Sequence, residues 1–152
     1  KYDGKSYDHH LWQVNEIAKM FIYYIPEDKR DLVYAACWLH DTIEDCRVTY
    51  NDVIGEFHEE IAEIVYALTN EKGRSRKDRA NAKYYLGIYQ NPLATFVKIC
   101  DRIANIKYSR DNGSSMLEKY KSEHEGFRSA LNTAAQYPSM WSYMESLLSL
   151  TS

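Results

Sequence analysis

Apolar side chains recur every three to four residues along nearly the whole of this chain, and no run of strand length alternates apolar with polar. A chain with that period has amphipathic helices to bury and no sheet to build, so the expected fold class is all-α. Leu11, Val14, Ile17, Ala18, Phe21 and Ile25 predict a first helix from about Tyr7 or Asp8, ended by Pro26. Glu27 and Asp28 open a second, acids suiting its positive N-terminal end, and it continues through Leu32, Ala35, Ala36 and Leu39. Thr49 and Asp52 predict the cap of a short helix ending near Phe57, and Ile61, Ile64, Val65 and Leu68 predict another over 59–69.

The polar stretch 70–76, with Gly73, is expected to be a loop, and Pro92 to open a long helix with Phe96, Val97, Ile99, Cys100, Ile103 and Ile106 inward. The stretch R-D-N-G-S-S at 110–115 is a break, followed by two helices over about 115–135 and 138–150. Met116, Leu117, Tyr120, Phe127, Leu131, Trp141, Met144, Leu147 and Leu148 are read there as core rather than as a cofactor box. These Tyr- and Trp-rich helices could also bury a partner surface, which leaves a homo-oligomer open.

At 152 residues the chain is expected to be one domain spanning 1–152, long enough to bury a core. A formal charge of −3 gives no global attraction to nucleic acid or to an anionic membrane. No apolar run approaches bilayer-spanning length and no signal-peptide pattern opens the chain, so no membrane role is expected. The three cysteines are odd in number and lack C-x-x-C spacing, which argues against a disulfide framework or zinc ribbon. Cys37 and Cys100 read as small core residues in a reducing compartment, and cytoplasm is the expected location. Because the chain opens on Lys1 rather than Met, a native piece is expected ahead of it.

The stretch His40-Asp41-Thr42-Ile43-Glu44-Asp45 concentrates the chemistry. An imidazole and a carboxylate can share a divalent cation, and Glu44 and Asp45 follow Asp41 by about one turn, where they could orient an attacking water or pass protons. One His-Asp pair is too few ligands. Upstream, His9 and His10 both stand at a helix start. Downstream, Asp101 sits in an apolar helix, costly unless paired or metal-bound, although Asp101-Arg102 could equally be part of a surface ion pair. His58 and His124 are expected to be exposed and structural. The basic run Lys72, Arg74, Arg76, Lys77, Arg79 and Lys83 reads as a solvated face, or as a phosphate receiver beside an acidic metal site.

The order H…HD…D resembles the HD phosphohydrolase superfamily. The wider pattern resembles its guanosine-polyphosphate hydrolase branch, meaning the hydrolase domain of RelA/SpoT-type enzymes and the small stand-alone alarmone hydrolases. The matching pieces are Gly4-x-x-Tyr7-x-x-His10-x-x-x-Val14, Ala35-Ala36-x-x-Leu39-His40-Asp41-Thr42-Ile43-Glu44-Asp45, Ile64-Val65-x-x-Leu68-Thr69 and Lys98-Ile99-Cys100-Asp101-Arg102-x-x-Asn105. They fall within about 4–107.

The resemblance implies an HD-domain bundle of roughly seven to eight helices with a metal site in the central ones. It implies metal ligation by His10, His40, Asp41 and Asp101, typically of manganese, and so selects His10 over His9. It implies that Glu44 and Asp45 position and activate water, and that Asn105 contacts substrate. Lys98, Lys1, Tyr7, Arg76, Lys77 and Arg79 are further substrate-binding candidates. The reaction implied is hydrolysis of (p)ppGpp to GDP or GTP plus pyrophosphate.

Departures from that branch surround the motif. Lys1-Tyr2 stands where its members carry Arg-Lys, His10-Leu11 where they carry His-Pro, and Phe57-His58 where they carry Phe-Gly. Residues 107–111 also diverge. The alternatives are therefore an HD phosphohydrolase for another nucleotide, such as a dNTP or a nucleoside monophosphate, and a non-catalytic nucleotide-binding module.

Overall fold

The computed structural model describes residues 7–39, 59–68, 81–131 and 133–149. Among these, seven α-helices follow one another: α1 Tyr7–Met20, α2 Arg30–Leu39, α3 Glu59–Ala67, α4 Ala82–Tyr89, α5 Pro92–Asp111, α6 Met116–Leu131 and α7 Pro138–Leu147. No strand occurs among the described residues, as the helical period requires. None of these helices is long and apolar enough to cross a membrane. The short helix predicted to end near Phe57 and the loop predicted over 70–76 lie outside the described residues.

Helix α5 is the hub. It packs on each of the other six helices, while α1 and α2 pack together, as do α2 and α3, and α4 and α6. Its sequence explains the position, because apolar residues cover most of its circumference and twelve of its twenty residues are buried. Its start is fixed by Asn91, whose side chain accepts from the Ala94 amide at 3.1 Å, with Pro92 supplying the first helical φ. Thr95 Oγ1 donates to the Ile88 carbonyl at 2.8 Å and so ties the end of α4 to the start of α5.

Two predicted boundaries move. The first helix ends at Met20 instead of continuing to Pro26, and a 3-10 turn at Ile22–Tyr24 follows. The Tyr23 and Tyr24 hydroxyls lie 2.6 and 2.7 Å from Ser139 Oγ, a tertiary anchor that favours the turn over another helical one. Glu27 and Asp28 open a 3-10 turn, Glu27–Lys29, that leads into α2 at Arg30. Lys29 Nζ, 2.9 Å from Glu60 Oε1, pins that turn to α3.

The C-terminal helices are core, as their apolar pattern predicts. Tyr120, Phe127, Leu131, Met140, Trp141, Met144 and Leu148 are all buried. Arg110 closes the packing by donating from Nη1 to the Ser146 and Leu147 carbonyls, at 3.1 and 3.0 Å. Those carbonyls lie in the last turn of α7, and that of Ser146 also accepts from the Ser149 amide at 3.1 Å. Helix α5 runs on through Arg110 and Asp111, so the break predicted at 110–115 starts at Asn112.

Candidate active site

Asp101 sits near the middle of the hub helix, where a lone carboxylate would be costly. Its oxygens are divided. Oδ1 meets His10 Nε2 at 3.0 Å, and Oδ2 faces Lys98 Nζ at 3.8 Å. His10 and Asp101 are 91 residues apart in sequence, and the packing of α1 on α5 brings them together. Both side chains are largely enclosed, at 5% and 14% exposure.

The structure separates the two adjacent histidines. His10 is buried against Asp101, whereas His9 is half-buried and stacks on Trp12 with ring centroids 5.9 Å apart. Successive helical residues point about 100° apart, so the two meet the hub at different places, His10 at Asp101 and His9 edge-on to Tyr108 at 6.4 Å.

The His10–Asp101 pair also passes a simple test as a place for an ion. The His10 imidazole nitrogen and an Asp101 carboxylate oxygen, 3.0 Å apart, are two ligand atoms that a divalent cation would accept together. A nitrogen and a carboxylate oxygen suit manganese, magnesium or zinc once Nε2 has given up its proton. Among the described residues no group of three or more His, Cys, Asp and Glu side chains forms a complete metal cage. The predicted ligands His40 and Asp41 lie outside the described residues, as do Glu44, Asp45, Lys1, Arg76, Lys77 and Arg79. Tyr7 opens α1, and Asn105 follows Asp101 by one turn of α5, half-buried.

Lys98 is shielded more than a surface lysine, at 20% exposure, with its ammonium 5.5 Å from the centre of the Tyr84 ring. Burial works against the Lys98 charge. The oxygen of Tyr84, the Asp101 carboxylate and Tyr85 outweigh it, so its pKa lies above the usual lysine value. Tyr84 is buried in turn and donates from its hydroxyl to the Leu68 carbonyl at 3.2 Å, beyond the end of α3. Burial also raises the Tyr84 pKa and keeps the phenol protonated. The sequence reading missed Tyr84, which comes 14 residues before Lys98 on another helix and has the ordinary look of a core aromatic.

Arg102, the neighbour of Asp101, turns inward, and its ion pair is with the half-buried Glu123. It is buried, with its guanidinium 4.6 and 4.5 Å from the Tyr120 and Phe127 rings and Nη2 3.1 Å from Glu123 Oε1. The residue fastens α5 to α6 directly beside the carboxylate.

His124, expected to be exposed, is buried instead. Its Nε2 lies 2.8 Å from Glu145 Oε2, an oxygen that Arg128 Nη1 also reaches at 2.7 Å, and its ring packs on Trp141. The charged stretch around it misled the sequence reading, because the partner that makes burial tolerable comes 21 residues later, on α7.

Cys37 and Cys100 are buried, in keeping with a core role. Burial raises both thiol pKa values far above the ordinary one, with the Asp101 carboxylate adding to the effect at each. Both side chains are therefore uncharged thiols packed near the carboxylate.

Comparisons with known proteins agree with this arrangement. A family model described as "HD domain" matches residues 7–106. A guanosine-3′,5′-bis(diphosphate) 3′-pyrophosphohydrolase of Aquifex aeolicus (strain VF5) is 32% identical over 75 residues, covering 47% of this chain and 11% of that protein. The human guanosine-3′,5′-bis(diphosphate) 3′-pyrophosphohydrolase MESH1 is 28% identical over 76 residues, half of this chain and 42% of the relative. The Xenopus tropicalis protein of the same name is 27% identical over 75 residues, covering 49% of this chain and 42% of that relative. The matched segment thus covers less than half of each relative. With a family model spanning all of α1 to α4 and most of α5, and with His10 and Asp101 joined across it, the chain belongs to the HD-domain family.

Proposed function

We propose that this chain is a metal-dependent phosphohydrolase that removes the 3′-pyrophosphate from guanosine tetra- or pentaphosphate, yielding GDP or GTP and pyrophosphate. The observation that carries the reading is the meeting of His10 and Asp101 at 3.0 Å, in a chain whose relatives are named for that reaction. His10, His40, Asp41 and Asp101 hold the ion, with manganese the preferred metal. A divalent cation there supplies Lewis acidity, making water more acidic and offsetting charge on the phosphoryl oxygens.

The remaining work belongs to the chain's own side chains, since phosphoryl transfer depends mostly on placement and electrostatics. Glu44 and Asp45 orient the attacking water and accept its proton. Asn105 touches the nucleotide one turn beyond Asp101, Tyr7 at the start of α1 borders it together with Lys1, and Arg76, Lys77 and Arg79 receive its phosphates. The protein acts in the cytoplasm as a single domain.

The test is direct. Purified protein with Mn²⁺ and ppGpp is expected to release pyrophosphate and GDP, separated by ion-exchange chromatography. No release at high enzyme concentration sinks the guanosine reading. A second substrate is favoured by the sequence around the motif, where Lys1-Tyr2 and His10-Leu11 replace the branch's Arg-Lys and His-Pro. A panel of dNTPs and nucleoside monophosphates in the same assay decides between them. Binding without turnover across the panel would make the chain a nucleotide-binding module instead.

A further inference from the structure

Among the described residues, His10 and Lys98 both reach the Asp101 carboxylate, and they do so at different oxygens. His10 takes Oδ1 at hydrogen-bond distance, while Lys98 faces Oδ2 at 3.8 Å, an ion-pair separation too long for a hydrogen bond. Lys98 is three residues before Asp101 on the same helix, so its stem already runs along the right face. Three residues alone do not fix a four-carbon chain. The seat is Tyr84, whose ring carries the ammonium at 5.5 Å and whose hydroxyl is itself tied to the Leu68 carbonyl at 3.2 Å. Tyr85 packs edge-on against Tyr84 at 5.2 Å and then meets Phe127 at 6.1 Å, which leaves the ring little room to turn.

A lysine placed to receive phosphate keeps its ammonium open to the substrate side. Lys98 spends its head on a ring and a carboxylate and is four-fifths shielded, at 20% exposure. We propose that Lys98, seated on Tyr84, is a positioning residue for Asp101, holding Oδ2 so that Oδ1, the oxygen that meets His10, is the one offered to the divalent ion. The inference rests on the hydrolase reading above and assigns Lys98 to the carboxylate in place of the substrate. Groups that orient a ligating carboxylate commonly change metal affinity by about 10- to 100-fold when removed.

The experiment measures Mn²⁺ binding to the full chain without nucleotide, by calorimetric titration and by the electron paramagnetic resonance signal of free Mn²⁺. Wild-type protein is compared with Lys98→Met, Lys98→Gln, Lys98→Arg and Tyr84→Leu. Only variants whose metal-free melting curve matches the wild type are scored, and Lys98→Gln keeps most of the stem and a hydrogen-bonding end. Lys98→Met and Lys98→Gln are expected to bind Mn²⁺ about 10- to 100-fold more weakly. Tyr84→Leu should shift in the same direction, and Lys98→Arg should recover most of the loss.

Equal or tighter Mn²⁺ binding by Lys98→Met overturns the inference, because removing a merely neighbouring positive charge relieves repulsion of the ion. So does an unchanged Mn²⁺ affinity accompanied by a raised KM for the nucleotide, which would make Lys98 a phosphate contact. Failure of the wild type itself to bind Mn²⁺ sinks the hydrolase reading and this one with it. Wild-type binding with indifferent variants sinks this one alone.

Discussion

At the residue scale the proposed mechanism separates groups that would hold the ion from groups that would use it. Asp41→Ala is expected to abolish Mn²⁺ binding and pyrophosphate release together, whereas Glu44→Ala should keep the metal and lose turnover. Paired metal titrations and rate assays check this. An unchanged rate in Glu44→Ala would remove the acidic pair from the mechanism. Arg102 carries a different load. Its guanidinium lies between two rings and an acid, so Arg102→Ala deletes both contacts and leaves a void beside Asp101. The expected cost is about 2–4 kcal/mol, read from the urea midpoint, and a loss below about 1 kcal/mol would show the clamp to be dispensable. Neither Arg102 nor His124 was readable in advance. Each is a polar residue whose burial is tolerated by partners 18 to 25 positions later for Arg102 and 17 to 21 for His124, and local sequence holds no trace of that distance.

At the scale of elements, the apolar period and the Asn-Pro start of α5 are local facts, and they locate that helix well. Asn91→Ala removes the side-chain acceptor for the Ala94 amide, and about 1 kcal/mol of stability should go with it in the same urea experiment. A change near zero would mean that Pro92 alone sets the start. The misplaced end of α1 has the opposite character. The residues from Phe21 to Ile25 keep a helical apolar pattern, and it is the Tyr23 and Tyr24 hydroxyls meeting the one Ser139 hydroxyl, more than a hundred residues on, that turn them out of the helix. Of the candidate site, the choice of His10 and Asp101 came from the family resemblance, and the structure brings those two together. Which oxygen meets which cation could not be read that way, because that depends on Tyr84 arriving from α4.

At the scale of the whole molecule, the buried thiols make stability depend on pH in a predictable direction. Cys37 and Cys100 have folded-state pKa values raised from an ordinary 9.0, so the unfolded chain releases these protons first. Their contribution is therefore present in full below about pH 9 and is lost as pH climbs from there towards the folded values, at up to about 1.4 kcal/mol per pH unit for each thiol. Melting temperature measured from pH 7 to 10.5 should stay level and then fall above about 9. The Cys37→Ala/Cys100→Ala double variant should show a shallower fall, and an identical slope would mean that the thiols ionise freely in the folded protein. Tyr84 and Tyr137, also raised from 10.0 chiefly by burial, steepen the last part of the curve in both proteins.

The hub position of α5 bears on how such a protein can be retargeted. A helix packed on six others, with twelve of its twenty residues buried, leaves few positions where a substitution passes unnoticed, so Asp101 is carried by a part of the chain with little freedom to vary. On the proposed reading, new substrate preferences would be written in the borders of the site while Asp101 stays as it is. A library that randomises the start of α1 and the stretch from Arg76 to Arg79, and leaves α5 untouched, should yield folded variants with altered nucleotide choice. One that randomises α5 should yield mostly unfolded chains.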